Sequence, residues 1–399
     1  MKYCKDFEIK ELKNRKDLDA CLDYISNDIW LKPYINECSL SAIPENSLVR
    51  LGMMEDIQVT GANNTMVSVK NVDDEDIFQC AKENGLLLIF PMENKWAAIP
   101  ARYTAFSSIC DRAGLSGRTI TNDDEKTAIS VLPIMEKAQW LSRGFSLNKL
   151  SCKILLRDGK ISAMLSNKYN IMPANELLPL FEKEIKKEHP NLVFKSGKFS
   201  HEYMYLDYHL EDPILEDSFL NTLQTCGMAN IAAVKAGIRF STSDIGYSMV
   251  RAIPNYEING FKIRLGKPIE LKHDNGKEDD FLKLLKTVGM LFKEAENRVE
   301  ELGNINISYP SGCLQHIFMK ENIHIPKQIV DIEIEKLCQN PPAHCSAMNL
   351  YITLNEMVEE TAQKKALSPK AYLNMSEEIA RLLYLDYEKY DKPFIEKEI

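Results

Sequence analysis

LPIMEKAQWLSRGFSLNKLSCKILLRDGKISAMLSNKYNIMPANELL, from Leu132 to Leu178, is the stretch on which the reading of this 399-residue chain turns. Pro133 suits a first helical residue, whose N–H has no partner in any case. Ile134, Ala138 and Leu141 then recur at helical spacing, and Gly144 reads as the stop. Asp158-Gly159 predicts a two-residue hairpin turn, because both central positions need φ > 0. That turn sets Arg157 opposite Lys160, Leu155 opposite Ser162 and Lys153 opposite Met164. Alternation then gives one apolar face (Cys152, Ile154, Leu156, Ile161, Ala163, Leu165) and one basic, mixed face. Like charges directly across two strands cost roughly a few tenths of a kcal/mol. Either both side chains splay into water at the turn, or an anion such as a phosphate sits between them. An amphipathic helix over 175–188 follows, with Leu177, Leu178, Phe181 and Ile185 inward.

Charge is distributed unevenly around this stretch. From Leu132 to Asn170, seven Lys/Arg stand against Glu136 and Asp158, a balance of +5 in a chain of formal net charge -9. Ala236 to His273 carries a second basic excess, +3, through Arg239, Arg251, Lys262, Arg264, Lys267 and Lys272. A sequence pI near 5.5 argues against a generally cationic nucleic-acid coat but leaves room for a localised basic groove. No apolar run approaches the roughly 20 residues that span a bilayer, and the scattered cysteines match no disulfide frame. The expectation is a soluble cytoplasmic protein without a membrane partner.

Outward from the centre, short strands are expected at 47–52, 57–61 and 66–70, a helix over 73–84, and a hairpin from 86–90 and 96–100. A short helix over 102–117 ends in Gly114-Leu-Ser-Gly117-Arg118, which reads as a helix cap or as backbone N–H groups offered to a phosphate. Residues 199–210 alternate as a strand, with Met204, Leu206, Tyr208 and Leu210 on one face and His201, Tyr203, Tyr205, Asp207 and His209 on the other. A helix over 226–235, three strands (237–243, 247–253, 261–271) and one long helix over 279–303 come next. Helices over 326–339, 348–365 and 369–388 fill the remainder. The fold class is therefore α+β, with largely antiparallel sheet packed by helices and an all-helical C-terminal region. The domain reading is 1–120 as an N-terminal α+β region, 121–303 as a central α+β domain and 304–399 as a helical region.

Four phrases carry a family resemblance: Ser107-Ser-Ile-Cys110-Asp-Arg-Ala-Gly114-Leu-Ser-Gly117, Ala138-Gln-Trp140-Leu-Ser-Arg143-Gly144, Leu156-Arg157-Asp158-Gly159-Lys160-Ile-Ser-Ala163-Met-Leu-Ser166 and Ser243-Asp244-Ile245-Gly246-Tyr247-Ser248. Over roughly residues 85–270 the chain resembles the phage/plasmid-like protein family of mobile genetic elements, a family of unknown function. The resemblance implies a mobile-element setting and supplies no catalytic residues.

The leading functional expectation is a mobile-element accessory protein that binds or anneals single-stranded DNA through a basic sheet face. The strand-strand-strand-helix order over 237–303 resembles that of phage single-strand annealing proteins, an analogy of fold only. The expected phosphate contacts are Arg143, Lys153, Arg157, Lys160, Arg239, Arg251 and Arg264, with Tyr203 and Tyr205 stacking on bases. Partners are then single-stranded DNA and further copies of the chain. A different class is a protein-binding antagonist of a host defence system, with a host protein as partner. A third is a metal-dependent hydrolase around His201, Glu202, Asp207 and His209; however, His201 and His209 stand about 27 Å apart along an extended strand and cannot share one ion. Cys313-x-x-His316 with Cys338, His344 and Cys345 matches no standard zinc spacing. No nucleophile elbow, P-loop, HExxH or dinucleotide fingerprint is present, so the reading leans away from an enzyme, with no cofactor and no metal site.

Overall fold

The computed structural model describes residues 3–6, 8–32, 39–42, 57–60, 66–69, 86–92, 95–115, 134–148, 151–228, 231–258, 261–266, 268–273, 278–364, 367 and 369–395. In chain order, β1 (Lys10–Leu12), α1 (Arg15–Ser26) and β2 (Ile29–Leu31) precede β3 (Ser39–Ala42), β4 (Ile57–Thr60), β5 (Met66–Val69), β6 (Leu86–Met92) and β7 (Lys95–Pro100). Helices α2 (Phe106–Ala113) and α3 (Ile134–Leu147) lead to β8 (Cys152–Arg157) and β9 (Lys160–Ser166). Then come α4 (Ala174–Ile185), β10 (Val193–Phe199), β11 (Met204–His209), α5 (Pro213–Thr225), β12 (Val234–Thr242), β13 (Val250–Ile258), β14 (Phe261–Arg264) and β15 (Ile269–Leu271). Helices α6 (Glu278–Leu285), α7 (Val288–Asn304), α8 (Pro310–Lys320), α9 (Lys327–Gln339), α10 (Ala347–Lys364) and α11 (Pro369–Arg381) complete the described helices.

The chain is an α+β protein whose named strands pair antiparallel throughout. Its frame is a seven-stranded sheet in the order β1-β10-β11-β12-β13, where β14 and β15 pair with opposite ends of β13. Strand period alone sorts its two faces. Cross-strand partners share a face, so Leu206 with Phe240 and Tyr208 with Ile238 lie on one side. There they meet Phe181 of α4, and Tyr256 stacks on Phe219 of α5 and meets Phe292 of α7 edge-on. Asp207 with Arg239, Ser241 with Arg251, and Glu257 with Lys262 line the other side. That polar face lies against α10 and α11. The sheet is thus built with one oily face and one charged face, both covered by helices. The same hydrophobic cluster runs from Cys4 to Tyr387, so the C-terminal helices share the sheet's core.

A smaller sheet, β2-β8-β9, carries the hairpin. Asp158 and Gly159 have φ of 53° and 71°, the left-handed pair that the turn requires. Arg157 pairs with Lys160 as expected, but Leu155 faces Ala163 and Lys153 faces Leu165. One extra residue at Ser162 forms a bulge, which moves the rest of β9 by one position. Met164 consequently joins Ile154, Leu156 and Ile161 in a core with Ile109 of α2 and Phe145 of α3, while Leu155 and Ala163 pack on Ile245. Neither face of the hairpin is solvated, contrary to the alternation reading.

Three further expectations need correction. Gly144 does not stop α3, which continues to Leu147; a Cβ there would lie 2.3 Å from the Ala113 carbonyl oxygen, so the glycine lets α2 and α3 touch. The helix expected over 226–235 lies earlier, over Pro213–Thr225. Asp212 caps it by accepting from the Ile214 and Leu215 N–H groups, Pro213 takes the first turn, and Gly227 at φ 85° follows its end. The long helix of 279–303 is two, because Thr287 returns both its N–H and its hydroxyl to the Leu284 carbonyl. The expected strand at 47–52, the helix over 73–84 and the Gly117-Arg118 end of the glycine loop lie outside the described residues.

Candidate functional site

The hairpin's two cations have an answer to their mutual repulsion, and the chain itself provides it. Arg157 donates from Nε to both oxygens of Asp28 (2.9 and 3.1 Å) and from Nη2 to Asp28 and Asp244 (2.5 and 2.8 Å). Lys160 reaches Asp6 at 2.8 Å, and Arg102 binds the same Asp6 together with Asp158. The side chains of Arg102, Arg157 and Lys160 are at most 3 % exposed. Burial pushes Asp28 up to about 6, against the pull of Arg157 and with the help of the Asp244 charge that shares the same guanidinium. His201 lies beside this cluster with Nε2 on the Cys4 carbonyl; burial and the neighbouring Arg102 and Arg157 hold it down to about 2, so it is neutral.

The sheet cations are answered in the same way. Arg239 grips both oxygens of Asp207 at 2.8 and 2.9 Å, and Lys262 shares Asp207 at 2.6 Å. Arg264 binds Glu359 at 2.6 Å and the Tyr372 hydroxyl at 3.1 Å. Arg251 binds Glu270 at 2.9 Å and also Glu377. Tyr205 is buried with its ring 4.7 Å from the Arg239 guanidinium, and Tyr203 is buried with its hydroxyl donating to the Tyr247 carbonyl. Lys153 donates to the Tyr169 carbonyl, and burial lowers its pKa. Arg143 alone of the nine expected nucleic-acid contacts is exposed. Tyr205, Arg239 and Arg264 do cluster, and Arg239, Arg251 and Arg264 share one sheet face, but their charge is spent on carboxylates from α10, α11 and the sheet. A buried guanidinium already held bidentate by a carboxylate has little to offer a phosphate.

The hydrolase constellation is not assembled either. Asp207 lies between Arg239 and Lys262, His201 is on a backbone carbonyl, and His209 stands 3.5 Å from Glu257. Among the described residues no group of three or more His, Cys, Asp or Glu side chains is placed to hold a metal ion.

Among the described residues, two cations without an ion-pair partner, Arg112 and Lys272, line a cleft of about 420 Å³ between the small sheet and the large one, with Asp111 also at its edge. Helix α2 contributes Ser108 and Arg112, the end of β9 contributes Ser166, and the β12–β13 turn contributes Gly246, Tyr247 and Ser248. Arg251 and Lys272 close the other side. Arg112 is half-buried and Lys272 exposed, and among the described residues neither is ion-paired. The walls are held firmly. Ser108 donates to the Ala105 carbonyl at 2.8 Å and accepts from the Met164 N–H at 2.9 Å, joining α2 to β9. The Tyr247 hydroxyl donates to Thr104 at 3.0 Å across the cleft's base, and its N–H rests on Ser243 Oγ at 3.2 Å. Gly246 at φ 78° allows that turn. Tyr169 stacks on His273 at 4.7 Å and 10°, and Lys370 stands 4.5 Å over the Tyr247 ring. Three of the four phrases singled out in the sequence, within 107–117, 156–166 and 243–248, meet around this cleft, and the fourth packs on it through Gly144 against Ala113. Arg112 lay inside one of those phrases and Lys272 inside the basic sheet segment; nothing in their local spacing marked either as unpaired.

Comparison of the chain with protein-family models, with curated proteins and with solved structures gave no match. Among the described residues no helix is long and apolar enough to cross a membrane.

Proposed function

We propose that the chain is a DNA-binding accessory protein of a mobile genetic element, acting in the cytoplasm, and that it takes a short segment of single-stranded DNA into the cleft between its two sheets. The observation that carries this reading is the pairing pattern: the buried arginines are neutralised by the chain's own carboxylates, whereas Arg112 and Lys272 are left unpaired at a solvent-open cleft. Phosphate binding needs positive charge that is still available, together with a hydroxyl donor, which Ser166 supplies. A cleft of this size has the dimensions of a small-ligand pocket, which admits an unpaired strand and excludes a duplex. The meeting of the phrases that resemble the phage/plasmid-like family at this same place supports the mobile-element setting.

The test is fluorescence anisotropy of labelled single- and double-stranded oligonucleotides over a salt series, with wild type and Arg112→Ala/Lys272→Ala. Two to three phosphate contacts on a single strand give a slope of log K against log salt of about -1.4 to -2. The double variant is expected to bind about tenfold or more weakly, with a shallower slope. Absence of single-strand binding at low salt, or equal binding by the variant, would overturn the reading and direct attention to a protein partner.

A further inference from the structure

A second cleft, of about 590 Å³, opens on the charged face of the large sheet beneath α10 and α11. Lys262 of β14 lines it with its side chain 16 % exposed. Its environment is unusual for a lysine. Among the described residues Asp207, at 2.6 Å, is its one ion-pair partner, and both oxygens of that carboxylate already accept from Arg239, whose guanidinium lies beside the Tyr205 and Tyr372 rings. The other carboxylates at the cleft are engaged: Glu359 by Arg264 and the Tyr372 hydroxyl, Glu257 by Lys195, and Glu11 by Lys13. One buried negative charge therefore serves two cations. Arginine keeps its proton under all ordinary conditions, so the excess falls on the lysine. Burial first, and the Arg239 charge second, bring Lys262 down to about 8, with Asp207 resisting. A desolvated lysine beside a second cation is an activated nucleophile.

We propose that Lys262 captures a small carbonyl-bearing acid, of the α-oxo acid class, as an imine in this cleft. The neutral Nζ attacks the carbonyl carbon, a C–N bond forms, and the C=O π electrons move to oxygen. The carbinolamine then loses that oxygen as water together with the two amine protons, leaving C=N. Once protonated by solvent, the imine nitrogen keeps Asp207 as its counter-ion, so the ion pairing of the site is preserved. Lys198 at the cleft, without an ion-pair partner among the described residues, supplies positive charge for the ligand's carboxylate.

The test uses the native full chain with glyoxylate and cyanoborohydride, which delivers hydride to the imine and fixes it as a secondary amine, followed by peptide mapping from pH 6 to pH 10. At neutral pH Lys262 is expected to be modified on the order of tenfold faster than Lys13 and Lys198, because burial and the Arg239 charge lower its pKa and leave more of it unprotonated. Its rate should level off above about pH 8. Lys262→Arg should abolish the fast site and leave the slow ones. Labelling of Lys262 no faster than Lys198, or with the same pH profile, overturns the proposal. Single-strand binding at the other cleft is read separately, so either result stands without the other.

Discussion

Replacing Arg157 by Met separates a structural role for the basic hairpin from a ligand-binding one. The guanidinium is 2 % exposed, and its removal leaves Asp28 and Asp244, 6 % and 8 % exposed, with no cation between them. Among the described residues Asp244 Oδ1 already lacks a hydrogen-bond partner. Breaking a buried pair by deleting one partner costs about 3–5 kcal/mol, a large share of the 5–15 kcal/mol or so by which proteins are stable. The measurement is urea unfolding followed by circular dichroism at several pH values. Deprived of the cation, buried Asp28 has a folded-state pKa still further above its unfolded value of about 3.9. The folded variant then binds more protons than the unfolded chain, so its stability falls as pH rises. The penalty should be full above neutrality and shrink towards pH 4. Adding Asp28→Asn to the variant removes one of the stranded charges and should restore part of the loss. Single-strand affinity of the folded variant should match wild type. A loss under about 1 kcal/mol at neutral pH, or a loss that ignores pH, would refute the assignment of this cluster as a buried ion network.

Two other outcomes follow from the same geometry. In Asp28→Asn the titration of Asp28 is removed: since burial lifts its folded pKa to about 6, wild-type stability measured relative to the variant should fall by roughly 2–3 kcal/mol as pH rises from 4 through 6 and stay level above. Gly144→Ala places a methyl group 2.3 Å from the Ala113 carbonyl oxygen, a backbone atom that cannot swing away; the helices must part at a cost of about 2 kcal/mol, read as a lowered urea midpoint.

Local signals in the sequence carried the fold well where they were self-contained. Asp158-Gly159 defined its turn, because two left-handed residues in a row leave few alternatives. The alternation of 204–210 sorted Leu206 and Tyr208 from Tyr205 and Asp207 as the sheet does. The bulge at Ser162 was not legible, since an inserted residue in a strand leaves no compositional mark, and it reversed the facing of Met164. The helix at Pro213–Thr225 was legible, since Asp212-Pro213 is a cap followed by a first-turn residue.

Charge was the least transferable signal, for a reason that the contacts make plain. The +5 excess between Leu132 and Asn170 suggested a surface awaiting an anionic polymer. Its anions arrive from far along the chain: Asp6 pairs with Lys160 across 154 residues, Asp28 with Arg157 across 129, and Asp244 with Arg157 across 87. A local excess of one sign in an otherwise opposite chain is therefore also the signature of charges that meet in the interior, where strong pairing offsets their desolvation. Sequence counts cannot distinguish the two cases, because both produce the same imbalance. Only the pairing does, and it shifts attention from Arg157 and Lys160 to Arg112 and Lys272, cations that stand in less conspicuous surroundings and keep their charge available at a cleft.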